Sequence, residues 1–486
     1  MAYHAFMNYS ALPFQSIAAG LAFLSTGFEI YVNSRQFPRL RLEDPPPSLH
    51  AVLATEISTK KSKDEDHSKS DTPTDPKEIF QRSQAYSLDK LQFSTFKDVL
   101  GLIEFALITT SVLRWTGIVT EQNQEWTPLV SMWEWAGGLC HKLLGSRFQE
   151  SEIVQSLAFL IIISLLGDIT GIPTSLYSTF VIEKKHGFNK TTLVTWIGDL
   201  VKGNLLAAVL GLPIIAAVLK VITWAGDAFV PYTMALIVGV QLVLIPLAPY
   251  IIAPLFNKYT NLASMPEHAE VFSLVKQLAS KLNFPLHHVW VVDGSRRSAH
   301  SNAYYYGMFG TKHIVLYDTL LASNTPEEIE AVLAHELGHW YHWHVLRMFF
   351  VSQANTFVIL SLLGLCLPSR ALPAAFGFSP SYAPLLIRLY LAQTLFTPLS
   401  VIVGFTSNAL SRRFEFQADD FAKRMGGTYP ARLKTALKRL ALDNKGLTDV
   451  DWLYSAFHYS HPTVAERIAR LSAPSTKGDE KARKEL

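Results

Sequence analysis

Long apolar runs separated by polar, charged stretches set the architecture of this chain. A bilayer crossing needs ~20 consecutive, mostly apolar residues. Seven runs approach that length: 11–31, 98–119, 153–176, 200–222, 231–254, 345–367 and 383–408. The last carries Arg388, Thr397 and Ser400, so it reads as tilted or partly buried. The pattern predicts an all-α polytopic membrane protein with no internal repeat. Three shorter segments, 287–293, 300–306 and 312–318, alternate instead and are rich in β-branched and aromatic residues. With the turn GMFGTK between the last two, they predict a small sheet. Residues 42–78 are polar, proline-containing and low in aromatics, the composition of a disordered insert.

Basic residues orient the spans. The segment between the first two runs holds many, from Arg35 to Lys97, whereas the next loop has only Lys142 and Arg147. Lys184, Lys185 and Lys190 follow the third run, and no Lys or Arg separates the fourth from the fifth. The 255–344 segment and the C-terminal tail are basic again. The positive-inside rule then puts the odd loops and the C-terminus in the cytosol, which an odd number of spans requires. Glu29, Glu104, Asp168, Asp199 and Lys202 fall within or near spans. Such groups are costly in hydrocarbon, and as a set they favour a wet interior.

Composition supports this picture. Of 486 residues 49% are apolar, and mean hydropathy is positive, as in membrane proteins. A net charge of +3 is too small to imply a nucleic-acid partner. Cys140 and Cys366 can form neither a disulfide framework nor a thiolate metal site. The first apolar run lacks a basic leader and a small-residue cleavage site, so no cleavable signal peptide is expected.

The candidate chemistry lies in HELGH, His335 to His339. On a helix, positions i and i+4 share a face, so His335 and His339 can grip one zinc ion while Glu336 polarises a water without ligating. The segment reads as helical: Thr325 is an N-cap, Pro326 opens the first turn and a capping-box glutamate follows. A catalytic zinc keeps three protein ligands and one open position. His342 lies ~10 Å along the axis from His335 and cannot complete the set. His344 follows without a glycine to turn the chain back. Both read as interfacial aromatics beside Trp340, Tyr341 and Trp343. Glu415, in SRRFEFQADDFA just after the seventh run, is the better third ligand. Asp419 shares its helical face and can hold a histidine tautomer, with Asp420 as the alternative partner. The predicted topology brings all three ligands to the cytosolic face.

At these residues the chain resembles the type I CAAX prenyl proteases, integral-membrane zinc endopeptidases of the endoplasmic reticulum and inner nuclear membrane. The resemblance rests on FQRSQAYSLDK (80–90), LYSTFVIEKKHGFNKTTL (176–193), SNAYYYG (301–307), VLAHELGHW (332–340), RRFEFQADDFA (412–422) and YSHPTVAERI (459–468). It implies seven helices in a barrel around a water-filled chamber, with a gluzincin-like zinc domain at the cytosolic end. It also implies prenylated protein or peptide substrates and membrane lipid as partners, loss of the substrates' last three residues, and in some a second upstream cut. His461 resembles the family's histidine that contacts substrate or intermediate, and is assigned oxyanion stabilisation against the alternative of a helix cap before Pro462. Arg467 can pair with Asp419 or Glu415. Asn302 looks like the edge residue that contacts the substrate backbone.

The expected layout is 1–254 (spans one to five with the insert), 255–344 (sheet and HELGH helix), 345–410 (spans six and seven) and 411–486 (cytosolic domain with the third ligand). Arg483 and Lys484 near the C-terminus are compatible with endoplasmic-reticulum retrieval. Two rival readings are a quality-control metallopeptidase with no prenyl requirement and a non-catalytic membrane scaffold or chaperone.

Overall fold

The computed structural model describes residues 12–49, 52–53, 75–110, 127–145, 151–307, 310–379 and 382–474. The tail residues Arg483 and Lys484 lie outside these. The N-terminal half is built from α1 (Phe14–Arg39), α2 (Pro76–Thr109), α3 (Pro128–Leu144), α4 (Glu152–Tyr177), α5 (Leu193–Leu206), α6 (Leu212–Ala225) and α7 (Phe229–Ile251). The 98–119 run is described only to residue 110, where it forms the end of α2. Helix α3 stands where the sequence reads as a loop. Leu129, Met132, Trp133 and Ala136 pack with Phe159 of α4 and with Phe376. Their 3–4 residue spacing marks an amphipathic helix, which Glu134, Gly137 and Gly138 keep from registering as an apolar run.

Three described helical stretches are long and apolar enough to cross a bilayer: Glu152–Glu183, Leu193–Phe256 and His344–Cys366. A bent pair, Leu385–Thr394 and Thr397–Arg424, makes a fourth if counted as one span. As one straight helix the 193–256 stretch would run ~96 Å, about three times the hydrocarbon core. It is instead broken at Gly226–Ala228, where Gly226 takes φ 55°, and α6 and α7 share an apolar cluster through Leu219, Ile222 and Phe229. The 383–408 run is likewise two pieces, bent by 65°. Its second piece continues without interruption to Arg424, so the segment carrying Glu415 extends that helix.

The 42–78 segment packs at its start. Leu49, Val52 and Leu53 are buried with Phe80 and Leu447; residues 54–74 lie outside the described set. Several ionisable residues of the spans have polar partners. Glu29 is 3.5 Å from His458, Asp168 accepts from Asn204 at 3.0 Å, and Asp199 takes both arms of Arg297 at 3.0 Å.

The C-terminal half surrounds a four-stranded sheet. Its elements are β1 (Tyr259–Asn261), α8 (Ala269–Lys281), β2 (Leu286–Val292), β3 (Ala303–Tyr306), β4 (Lys312–Tyr317) and α9 (Pro326–Tyr341). The order is β1-β2-β4-β3, with β2 and β4 parallel and the outer pairs antiparallel. The expected three segments are present within a few residues. Strand β1, three residues long, is too short to show an alternation. After β3 the chain turns at Gly307 with φ 126°, where a Cβ would collide with the Thr311 carbonyl. Only glycine fits this turn.

Beyond α9 follow α10 (His344–Cys366), α11 (Leu385–Thr394), α12 (Thr397–Arg424), α13 (Tyr429–Asp443), α14 (Trp452–His458) and α15 (Val464–Ser472). Ile329, Leu333 and Leu337 of α9 share one core with α8, the sheet and Phe421 of α12. Gly338 sets the closeness of α9 and α12: a Cβ there would lie 3.0 Å from Ala418 Cα and 3.1 Å from Phe421 Cβ. Gly338→Ala is therefore expected to cost about 1–3 kcal/mol by overpacking. It should also push α9 away from Glu415, seen as a lower unfolding midpoint together with reduced metal content. An unchanged midpoint would show that the two helices can separate freely.

Candidate metal centre

The site begins with how α9 starts. Thr325 Oγ1 accepts from the Glu328 amide at 3.3 Å, and Glu328 Oε2 accepts from the Thr325 amide at 2.9 Å. This reciprocal cap satisfies two amides of the first turn and fixes the helix. About two turns beyond Glu328, the His335 and His339 rings project on one face with their Nε2 atoms 3.3 Å apart.

Helix α12 delivers Glu415 between them. Its Oε2 is 3.4 Å from His335 Nε2 and its Oε1 is 3.2 Å from His339 Nε2. Donor atoms ~2.0–2.1 Å from one tetrahedral ion stand ~3.3 Å from each other. Among the described residues this is the one group of three or more His, Cys, Asp or Glu whose ligand atoms converge closely enough for an ion. Glu415 Oε2 is buried and has no hydrogen-bond donor, its nearest cationic group being Arg467 Nη1 at 3.6 Å, so a lone pair stays free for an ion. Donor type, spacing and the orphaned oxygen all fit a bound metal.

Behind the three donors lies a buried charge network. Asp419, fully buried, places Oδ1 2.9 Å from His335 Nδ1. Arg467 of α15 grips Asp419 with Nε at 2.9 Å and Nη2 at 2.7 Å, and its Nη1 is 3.6 Å from Glu415 Oε2. Asp420 points elsewhere, pairing with Arg470 at 2.7 Å. Arg467 thus stands beside both carboxylates that the sequence offered as its partners.

Glu336 follows His335 on α9. Burial pushes its carboxyl above the usual value, with His335 and His339 pulling the other way. His461 Nε2 lies 3.4 Å from Glu415 Oε1 while its side chain stays 63% exposed, so it reaches the centre from the open side. The cap of α15 is Thr463, not His461. Asn302 is exposed at the entry to β3. Its Oδ1 accepts from the Ala303 amide at 2.8 Å, and its carbonyl accepts from the Tyr317 amide at 3.1 Å. Strand β3 is the sheet edge next to α9.

His344 departs from the sequence reading. It is buried, with Nδ1 2.9 Å from His339 Nδ1 and Nε2 2.8 Å from Gln417 Oε1. Trp343, at φ 57°, turns the chain back without a glycine. A non-glycine residue in that conformation is uncommon, and nothing in the local sequence announces it. His342 is also drawn inward, its Nε2 3.2 Å from Arg424, while Trp343 and Tyr341 remain exposed.

A paired-histidine helix closed by a carboxylate from a second helix, beside membrane-length helices, defines a membrane metallopeptidase. Comparison with known proteins agrees. Residues 41–258 match the family described as CAAX prenyl protease N-terminal, five membrane helices, and 266–475 match peptidase family M48. CAAX prenyl protease 1 homolog of Arabidopsis thaliana is 37% identical, covering 96% of this chain and 100% of that protein. CAAX prenyl protease 1 of Saccharomyces cerevisiae is 35% identical over 97% and 98%. The crystal structure of S. mikatae Ste24p superposes with a TM-score of 0.79 at 34% identity, covering 95% of this chain and 99% of that one. The chain belongs to the CAAX prenyl proteases of peptidase family M48.

Proposed function

We propose that this chain is a zinc endopeptidase that removes the last three residues of isoprenylated CAAX proteins, with a second upstream cut in some substrates. The observation that carries the reading is the convergence of His335, His339 and Glu415 with Glu336 alongside, in a chain of this family. The two imidazoles and one carboxylate are the donors zinc takes in hydrolases, and three of them leave a position for water. Bound there, the ion supplies Lewis-acid polarisation of a water and of the scissile carbonyl.

The protein's own groups do the rest. Glu336 takes the proton of the attacking water and passes it to the leaving amine. His461, on the open side next to Glu415, donates to the oxygen on which negative charge develops. Arg467 and Asp419 hold His335 and Glu415 in place from behind. An extended peptide adds to the outer edge of β3, where Asn302 meets its backbone.

The same proposal covers the membrane arrangement: seven spans around a water-filled chamber, with the site facing the cytosol of the endoplasmic reticulum or inner nuclear membrane. Lipid is then the medium from which the prenylated partner arrives. An open interior is supported by the ionisable residues that the spans carry, which are costly in hydrocarbon. The polar partners of Asp168 and Asp199 support it too.

Matched farnesylated and unmodified peptides distinguish this reading from a general quality-control peptidase. Cleavage of the farnesylated peptide alone is expected. Equal rates for the two would support the rival.

A further inference from the structure

We infer that His344, seated on Gln417, is the positioning residue for the metal ligand His339, fixing its tautomer and ring plane from the first turn of a membrane-length helix. The inference rests on the ligand set proposed above and concerns a residue that the HELGH motif does not include.

The argument is one of protons. His339 turns Nε2 toward His335 and Glu415, at 3.3 and 3.2 Å, so Nε2 is its ligating atom and must be bare. A neutral imidazole then carries its proton on Nδ1. That nitrogen stands 2.9 Å from His344 Nδ1. Two ring nitrogens at this distance share one proton, so His344 Nδ1 is the acceptor and the His344 proton sits on Nε2. That Nε2 is 2.8 Å from Gln417 Oε1, an acceptor. A single assignment satisfies every contact: His339 Nδ1–H donates to His344, and His344 Nε2–H donates to Gln417. Any other tautomer sets two donors or two acceptors against each other.

Packing holds the relay in register. The His344 ring stacks on Phe414 with centroids 4.1 Å apart and planes 7° from parallel. Phe414 and Gln417 flank Glu415 on α12, so the element presenting the third ligand also holds the support of the second. Trp343 in its left-handed conformation brings His344 back beneath His339. The strained residue therefore lies where the support requires it, an arrangement that persists when its surroundings over-determine it.

The two ligand histidines are consequently held by different chemistry. His335 leans on a carboxylate, Asp419; His339 leans on a neutral imidazole backed by an amide. A carboxylate makes a ligand histidine more basic, and a neutral acceptor orients the ring without adding a second negative charge. The centre then keeps more of the ion's positive charge for substrate.

The test uses the full-length protein in detergent and two variants. His344→Phe keeps the stacked ring and loses the acceptor. His344→Asn keeps an acceptor near the Nδ1 position and loses the ring. Zinc affinity is read by chelator competition, and the unfolding midpoint of the metal-free protein is read alongside. His344→Phe should weaken zinc binding about 10–100-fold with the metal-free midpoint near wild type, and His344→Asn should recover most of that loss. The cobalt-substituted His344→Phe protein should show altered d–d bands. Wild-type zinc affinity in His344→Phe would overturn the inference. So would equal weakening in both variants accompanied by equal loss of metal-free stability, which marks a packing role alone.

Discussion

Glu336→Gln is expected to bind zinc as tightly as the unaltered protein and to lose peptide hydrolysis by at least ~10²–10⁴-fold, the range supplied by a positioned general base. The substitution is close to isosteric and touches none of the three converging donors, which are His335, His339 and Glu415. Glutamine cannot take a proton from the attacking water. It also relieves the cost of burying a carboxylate between the ligands, where Glu336 sits with its acidity suppressed. Stability should therefore hold or rise while turnover falls. Retained turnover with full zinc would place the base elsewhere; loss of zinc would mean that Glu336 belongs to the ligand set.

Arg467→Met is expected to destabilise the folded protein by about 3–5 kcal/mol, the cost of leaving a buried partner charge uncompensated. Arg467 is buried and makes two contacts with Asp419, at 2.9 and 2.7 Å, and Asp419 has no exposed surface. Methionine fills similar volume but leaves Asp419 facing Glu415 with only His335 between them. Zinc content should fall in parallel, because the same arginine steadies Glu415. Arg467→Lys restores the charge without the two-armed grip, so it should recover only part of the loss. Thermal unfolding in detergent measures the effect. A midpoint equal to the unaltered protein would remove Arg467 from the structural core of the site.

The sequence and the structure agree most where local signals are strong. Thr325, Pro326 and Glu328 announce the start of α9, and each takes the role its chemistry suggests. The i, i+4 spacing of His335 and His339, and of Glu415 and Asp419, survives because helical periodicity fixes which side chains share a face. Features that depend on tertiary fit were less visible. Helix α3 runs unbroken through Gly137 and Gly138, but these and Glu134 interrupt its apolar residues, so an apolar count passes over it. The 65° bend within the 383–408 run interrupts a continuous apolar stretch, and composition does not locate the bend. His344 shows the limit most clearly. The rule that a chain needs glycine to turn sharply excludes it, yet Trp343 adopts the left-handed conformation and His344 is buried against His339 and Gln417. Leu49, Val52 and Leu53 make the same point at the start of the 42–78 segment, where a polar composition masks three residues that pack onto Phe80.

The central claim is that the three converging donors and Glu336 cut an isoprenylated C-terminus. Mass spectrometry of the products from a farnesylated CAAX peptide, with and without chelator, tests it most directly. The account predicts a product shorter by three residues, its disappearance with chelator, its return on adding zinc, and its absence with Glu336→Gln. Cleavage that persists in chelator, or a product cut elsewhere from an unmodified peptide at the same rate, would contradict it.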